Sequence, residues 1–396
     1  LRVRKIINTI LLILIGILVV IWIFIEPPLL SPLGDNPFSR FLSSFPHIKT
    51  KKIVYGFLPY WNMKKVTLQP ELTHLVYFSL TIKDDGSLLT VSNGETDPGF
   101  RNLQSEDFLQ INETAKTYGS KTHIVLSQFD NDEIEAFLAS STAQETFLQE
   151  IDSLLLAYPF NGLNLDIEYV GLASQELRQQ YTSFLQKVRD HLNDTYDDIE
   201  LTVDMYAGAA TKNMLWEVEK IVPLVDYIIV MAYDFHRSSS PTAGPVAPLF
   251  EKEASWSENI NDYLRDFSRK APTNKLLLGI PFYGYEWQTT STQPESFTLP
   301  RTGVTASYQR VKDLLARKEE LALVEHWDKN ALAPYLSYVE NGKNYLIYFE
   351  NAASVSYKLE YVNQLNLAGI AIWSLGYEGN SRDLWNVIDQ ELEIKN

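Results

Sequence analysis

From residue 53 onward, short apolar runs alternate with segments whose apolar residues recur at helical spacing. Eight of these runs, around 53–60, 72–82, 122–129, 162–169, 199–206, 226–234, 275–283 and 367–374, read as strands. Helical patterns follow most of them, notably at 105–118, 132–156, 174–192, 256–270, 350–366 and 382–394. Strands that alternate with helices form parallel sheets covered on both faces. Eight such units predict an α/β fold, a (β/α)8 TIM barrel, with a doubly wound open sheet as the competing arrangement. The connection at 288–349 is too long for a crossover helix. It holds a helical stretch near 306–320 and two Tyr- and Val-rich runs, Ala333 to Val339 and Tyr345 to Phe349, joined by the hairpin signal Asn341-Gly342. This reads as a small α+β insertion domain between strands 7 and 8, at the barrel mouth.

The chain before residue 53 has a different pattern. Residues 6–25 are apolar apart from Asn8 and Thr9, and a helix of that length spans about 30 Å, the thickness of a bilayer core. Arg2, Arg4 and Lys5 precede it, and the next basic residue is Arg40. The positive-inside bias therefore predicts a cytoplasmic flank at 1–5, a transmembrane signal-anchor helix at 6–25, and a body outside the cytoplasm at the cell membrane. A cleaved signal peptide is the alternative, although the run exceeds the usual ~7–15 residues and no small-x-small site follows it. Pro27, Pro28, Pro32, Pro37 and Pro46 mark 26–50 as an extended linker to the folded body, 51–396.

Charge narrows the partners. The sequence carries 34 Lys and Arg against 50 Asp and Glu, a net charge of −16. Such a body is poorly suited to nucleic acid or to an anionic lipid surface, both of which require basic patches. There are no cysteines among the 396 residues, which excludes disulfides and thiolate metal sites. The six histidines are scattered, and His236 reads as a loop residue, so neither a metal site nor a cofactor is expected.

Candidate chemistry lies in Asn161-Gly-Leu-Asn-Leu-Asp-Ile-Glu168. Side chains alternate along a strand, so Asn164, Asp166 and Glu168 share one face and Leu163, Leu165 and Ile167 the other. Two carboxyls about 7 Å apart at Cα influence each other's proton affinity, which suits one of them to act as a general acid. The alternative is an edge strand with a solvated acidic face. Flanking helical patterns favour a buried strand, where carboxyls are costly unless they have a task. Tyr233 and Asp234 end the sixth strand and Trp373 the eighth. Tyr55, Tyr60 and Trp61 cluster at the first, and Phe282, Tyr283, Tyr285 and Trp287 at the seventh. Sugar rings stack on such side chains, so these positions fit a saccharide cleft.

These motifs together resemble family 18 of the glycoside hydrolases, the chitinase-like family. The octet is similar to its DxxDxDxE, MAYDF to M-x-Y-D-[FY], GIPFYGYEW to G-[IL]-P-[FY]-Y-G, and GIAIWSLGYEG to G-[IV]-x-x-W-S-L-G. The similarity extends over about residues 53–392, and 288–349 matches the place of that family's insertion domain. The resemblance implies that Glu168 is the acid and base, that Asp166 orients the substrate's N-acetyl arm, and that Tyr233 hydrogen-bonds that arm. It further implies that Asp234 contacts the sugar, that Trp373 lies under the reacting ring, and that the acetamido oxygen of the substrate is the nucleophile in a retaining reaction.

Two departures accompany the resemblance. Asn161 and Asn164 stand where the motif has Asp, so a charge chain behind Asp166 is expected to be absent, with Asn164 a hydrogen-bond donor to Asp166. This N-x-D-x-E form is similar to that of the spore-cortex and peptidoglycan-directed members. Ser127 to Asp132, SQFDND, replaces the family's S-x-G-G. The implied function is hydrolysis of β-1,4-linked N-acetylglucosamine glycans, chitin or peptidoglycan. A non-catalytic, lectin-type glycan-binding protein is the alternative.

Overall fold

Eight strands close into a parallel barrel in the computed structural model, which describes residues 51–252 and 255–392. The expected membrane helix at 6–25 and the linker at 26–50 lie outside the described residues. Among the described residues, no helix is long and apolar enough to cross a membrane.

The first seven barrel strands are β1 (Ile53–Pro59), β2 (His74–Thr81), β3 (Lys121–Gln128), β4 (Gly162–Ile167), β5 (Glu200–Tyr206), β6 (Tyr227–Met231) and β7 (Leu276–Pro281). A separate five-stranded sheet follows, made of β8 (Tyr283–Thr289), β9 (Val304–Ser307), β10 (Val324–Asp328), β11 (Ala333–Glu340) and β12 (Lys343–Tyr348). β13 (Gly369–Trp373) then pairs with both β1 and β7, which closes the barrel and excludes the open sheet. Each barrel strand is a β-branched and leucine-rich run, as a strand buried on both faces requires. In β4, Leu163, Leu165 and Ile167 are fully buried; each contributes about 1.5–3 kcal/mol by leaving water.

The barrel interior is divided. Tyr55, Phe57, Val76, Phe78, Val125, Ile229, Leu277 and Ala371 form an apolar half. Facing them from β3, β4 and β5 is a polar column of His123, Asn164, Asp166, Thr202 and Asp204, each at most 4% exposed. Gly279 in β7 leaves space beside it, because a Cβ there would come within 2.7 Å of the Tyr233 ring.

The pattern over 132–156 is two helices, Asn131–Ala139 and Ser141–Ala157. Ser140 breaks it by adopting extended backbone and capping the second helix with its hydroxyl, which accepts from the Ala143 amide at 3.1 Å. The insertion's hairpin turns at Asn341 and Gly342, both at positive φ, as a two-residue turn of this type needs. The five-stranded sheet starts at Tyr283, so Tyr283, Tyr285 and Trp287 belong to its first strand and not to the end of β7. One face of the sheet, with Leu336, Tyr338 and Ile347, packs on the helix Tyr308–Ala316 through Val311 and Leu314. The other face carries Tyr283, Tyr285, Trp287, Tyr335 and Tyr348 toward Tyr233 and Trp373. Alternation along β8 thus sets three aromatic side chains against the mouth of the barrel.

Candidate active site

A cavity of about 420 Å³ opens where the barrel strands end at their C-termini, the face on which barrel enzymes place their chemistry. Asp166, Glu168, Tyr233, Asp234, Tyr283 and Trp373 line it together with Trp61, as do Asp204, Tyr206, Arg237, Phe57, Phe78 and Phe129, which the sequence did not single out as site residues. Asn164 does not line it. It is fully buried one layer below Asp166, because alternation places it deeper in the barrel on the same face.

Asp166 hydrogen-bonds Glu168 on one side and Asp204 on the other. Burial pushes the proton affinity of Asp166 well up, and the charges of Glu168 and Asp204 push it further. Burial likewise raises Glu168, while a hydrogen bond from Tyr206 and the charge of Arg237 partly offset the rise. A carboxyl that keeps its proton toward neutrality is what a general acid requires.

The charge chain expected to be missing behind Asp166 is present, because Asp204 supplies it from β5. Asn164 does not donate to Asp166 as expected; its amide nitrogen donates to Thr202 Oγ1 at 3.0 Å and to Asp204 Oδ1 at 3.2 Å. The register sets Asn164 beside Thr202, so its amide meets the neighbouring strand's side chains before those of its own.

Tyr233 stands beside this cluster. Burial raises its phenol well above the ordinary range, and the charges of Asp204, Glu168 and Asp166 add to the rise, so it remains a hydrogen-bond donor. Asp234 sits at φ 62, in the left-handed region, where its side chain turns to accept from Tyr283 at 2.5 Å and from Tyr285 at 3.0 Å.

The aromatic wall is continuous. Trp373 packs against Phe78 at 4.8 Å and Phe57 at 5.7 Å between ring centroids, and Phe78 in turn meets Trp61 and Phe129. Trp61 and Phe129 are 46% and 47% exposed, which leaves ring faces open for a sugar. Tyr60 does not line the cavity. Tyr60–Asn62 is a 3-10 turn, in which side chains step around an axis and do not alternate, and Trp61 takes the position facing the cleft. Asn62 fixes that turn by donating to Ser374 Oγ and the Leu375 carbonyl, both at 3.1 Å.

At the opposite end of the barrel, His74, His123 and Glu200 bring ligand atoms within 4.8 Å of one another. Their scatter in sequence concealed this grouping. Both imidazole Nε2 atoms approach the same Glu200 oxygen, at 3.1 and 3.0 Å, and Lys121 binds the other. Burial and the neighbouring positive charges pull His123 down to about 4, against the hydrogen bond to Glu200. Glu200 is held well below the usual carboxylate range; burial opposes this, but hydrogen bonds from His123, His74 and Lys121 prevail. The donor set suits a divalent cation in type, while the carboxylate already has its charge balanced by Lys121.

Comparison with known proteins agrees with this geometry. Residues 50–378 match the family model for glycosyl hydrolases family 18. The chain is 25% identical to mouse chitotriosidase-1, over 78% of this chain and 68% of that protein. It is also 25% identical to the cortical fragment-lytic enzyme of Bacillus subtilis, over 78% of this chain and 65% of that protein. Among solved structures, the fold is similar to that of Ostrinia furnacalis Group IV chitinase in complex with allosamidin (TM-score 0.74, 23% identity, 86% of this chain and 98% of that one). It is likewise similar to the Bacillus megaterium spore cortex-lytic enzyme SleL (TM-score 0.70, 21% identity, 88% and 76%). With the family model matched from the first barrel strand to beyond the last, the chain belongs to glycosyl hydrolases family 18 and is a chitinase-like glycoside hydrolase.

Proposed function

We propose that the protein cleaves β-1,4-linked N-acetylglucosamine glycans, chitin oligosaccharides or peptidoglycan strands, with retention of configuration and with the substrate's acetamido oxygen as nucleophile. The observation that carries this reading is the row Asp204, Asp166 and Glu168 on one wall of a cavity whose opposite side is aromatic. Glu168, nearest solvent, gives its proton to the leaving glycosidic oxygen and later takes one from water. Asp166 and Tyr233 hold the acetamido group against the anomeric carbon, and Asp166 offsets the positive charge that builds on the resulting ring. Trp373 supports the reacting sugar, with Trp61 and Phe129 extending the contact. Asp234, braced by Tyr283 and Tyr285, supplies a polar contact at the cleft edge.

The apolar run at 6–25 and its one-sided basic flank support a single-pass anchor with the barrel outside the cytoplasm. A glycan of this class is found there, so location and chemistry agree. Protease added to intact spheroplasts should digest the barrel, and full protection would contradict the anchor.

Mass spectrometry of products from purified chitin oligomers and from peptidoglycan tests the activity. Reducing ends formed at N-acetylglucosamine are expected. Binding to either glycan without any new reducing end would favour a lectin-type role.

A further inference from the structure

Three carboxyls in one buried row can be hydrogen-bonded only if protons sit between them, and the surroundings of the innermost one fix where. Asp204 is 2% exposed and Asp166 4%. Asn164 presents its amide nitrogen to Asp204 Oδ1, so that oxygen acts as an acceptor. The orientation of Asn164 is itself fixed from below. Its amide also reaches Thr202 Oγ1, which lies 2.9 Å from Tyr55 OH, which lies 3.1 Å from His123 Nδ1. His123 Nε2 lies 3.0 Å from the Glu200 carboxylate, an ion-pair distance without a well-directed hydrogen bond. Asn164 donates to Thr202, whose hydroxyl is in turn held by Tyr55 OH and the Leu163 carbonyl. The two amide protons of Asn164 are thus directed to Thr202 and to Asp204. Its carbonyl oxygen is buried without a partner, as expected if the column and not that oxygen decides the orientation.

We propose that Asp204 is a positioning residue for the reaction, the carboxylate that holds the proton of Asp166 in the resting enzyme and accepts it when Asp166 must become anionic. This rests on the reading of the site as a substrate-assisted hydrolase. The buried acid that the motif carries at position 164 is thus moved one strand across, to position 204, on the other side of the same Asp166. The step balances simply. The proton leaves an Asp166 oxygen for an Asp204 oxygen, and the negative charge moves one residue nearer the acetamido group as positive charge builds there. The groups facing Asp204 are Asn164 and Asp166 from β4, Glu168 just after it, Tyr55 from β1, Tyr181 from the helix Gln175–Thr195, and Tyr233 after β6. All but Asn164 are acids or phenols, so among these neighbours no cation competes for the proton. Burial and the nearby charge of Glu168 raise the proton affinity of Asp204 itself, as an acceptor needs.

The test uses the full chain and three variants: Asp204→Asn, Asn164→Asp and the double exchange Asn164→Asp/Asp204→Asn. Asp204→Asn should lower kcat about tenfold, the size of one charge-assisted contact, and move the acidic limb of the pH profile downward, because Asp166 loses a negative neighbour. The double exchange restores a carboxylate beside Asp166 and should return both kcat and the limb toward wild type. Asn164→Asp alone should move the limb upward. Wild-type kcat and limb in Asp204→Asn, or a double exchange no better than that single variant, would overturn the proposal. Infrared spectra in the absence of substrate keep this distinct from a failure of the functional reading. The wild type should show a protonated-carboxyl band at neutral pH that weakens in Asp204→Asn, whichever glycan is cleaved, and an unchanged band would also overturn the proposal.

Discussion

Tyr283 donates its hydroxyl to Asp234 Oδ1 at 2.5 Å and so joins the first strand of the insertion sheet to the end of β6. Tyr285, two residues along the same face, donates to the same oxygen at 3.0 Å. The insertion is therefore part of the active-site wall. Tyr283→Phe keeps the ring packing and removes one of the two bonds. We expect kcat/KM to fall about tenfold, the ~1.5 kcal/mol of one such hydrogen bond, with little change in Tm. Unchanged steady-state kinetics would show that the bond does not position Asp234 for substrate.

Glu168→Gln keeps the shape and the hydrogen bonds of the acid but cannot give up a proton. Turnover should drop by at least about 10²-fold, as for a lost general acid, while binding of N-acetylglucosamine oligomers measured by calorimetry persists. Turnover near that of wild type would remove Glu168 from the mechanism.

Glu378, in the loop after β13, is buried, accepts from Trp385 Nε1 at 3.1 Å and leaves its other oxygen without a partner. Burial pushes its carboxyl up to about 7, whereas in the unfolded chain it ionises near ~4.3. Between those values the folded state binds a proton that the unfolded state does not. Stability therefore falls as pH rises through this window and levels off above it. Glu378→Gln keeps the bond to Trp385 and abolishes that loss, with a gain on the order of 3 kcal/mol at pH 8 and almost none at pH 4. Denaturant melts at the two pH values check this; an equal effect at both would show that Glu378 is not protonated in the fold.

Much of the barrel was legible in the sequence because a strand buried on both faces must be an unbroken apolar run, and a carboxyl at its C-terminal end stands out against that background. Asp166 and Glu168 were found in this way, Tyr233, Asp234 and Trp373 through strand-end motifs that resemble those of the family, and all five line the cavity. Asp204 was missed for the converse reason. In Leu201-Thr-Val-Asp-Met-Tyr206 a single acid among apolar residues reads as an ordinary strand, and only the register of β4 on β5 brings it to Asp166. Trp61 displaced Tyr60 because the chain leaves β1 through a 3-10 turn, which breaks the alternation used to assign faces. Tyr283 was placed correctly in the cleft but on the wrong element, since the boundary between β7 and β8 falls inside one aromatic run with no turn residue other than Pro281 to mark it.

The central claim is that Glu168 protonates the leaving group while the substrate's own acetamido oxygen attacks. The most direct measurement compares hydrolysis of chito-oligosaccharides with that of the same oligomers after their acetyl groups are removed. Cleavage of the acetylated oligomers and no detectable cleavage of the others is expected, because without the acetyl oxygen there is no nucleophile on the reacting face. Comparable rates on the two substrates would mean that a protein carboxylate attacks the sugar and would contradict the account.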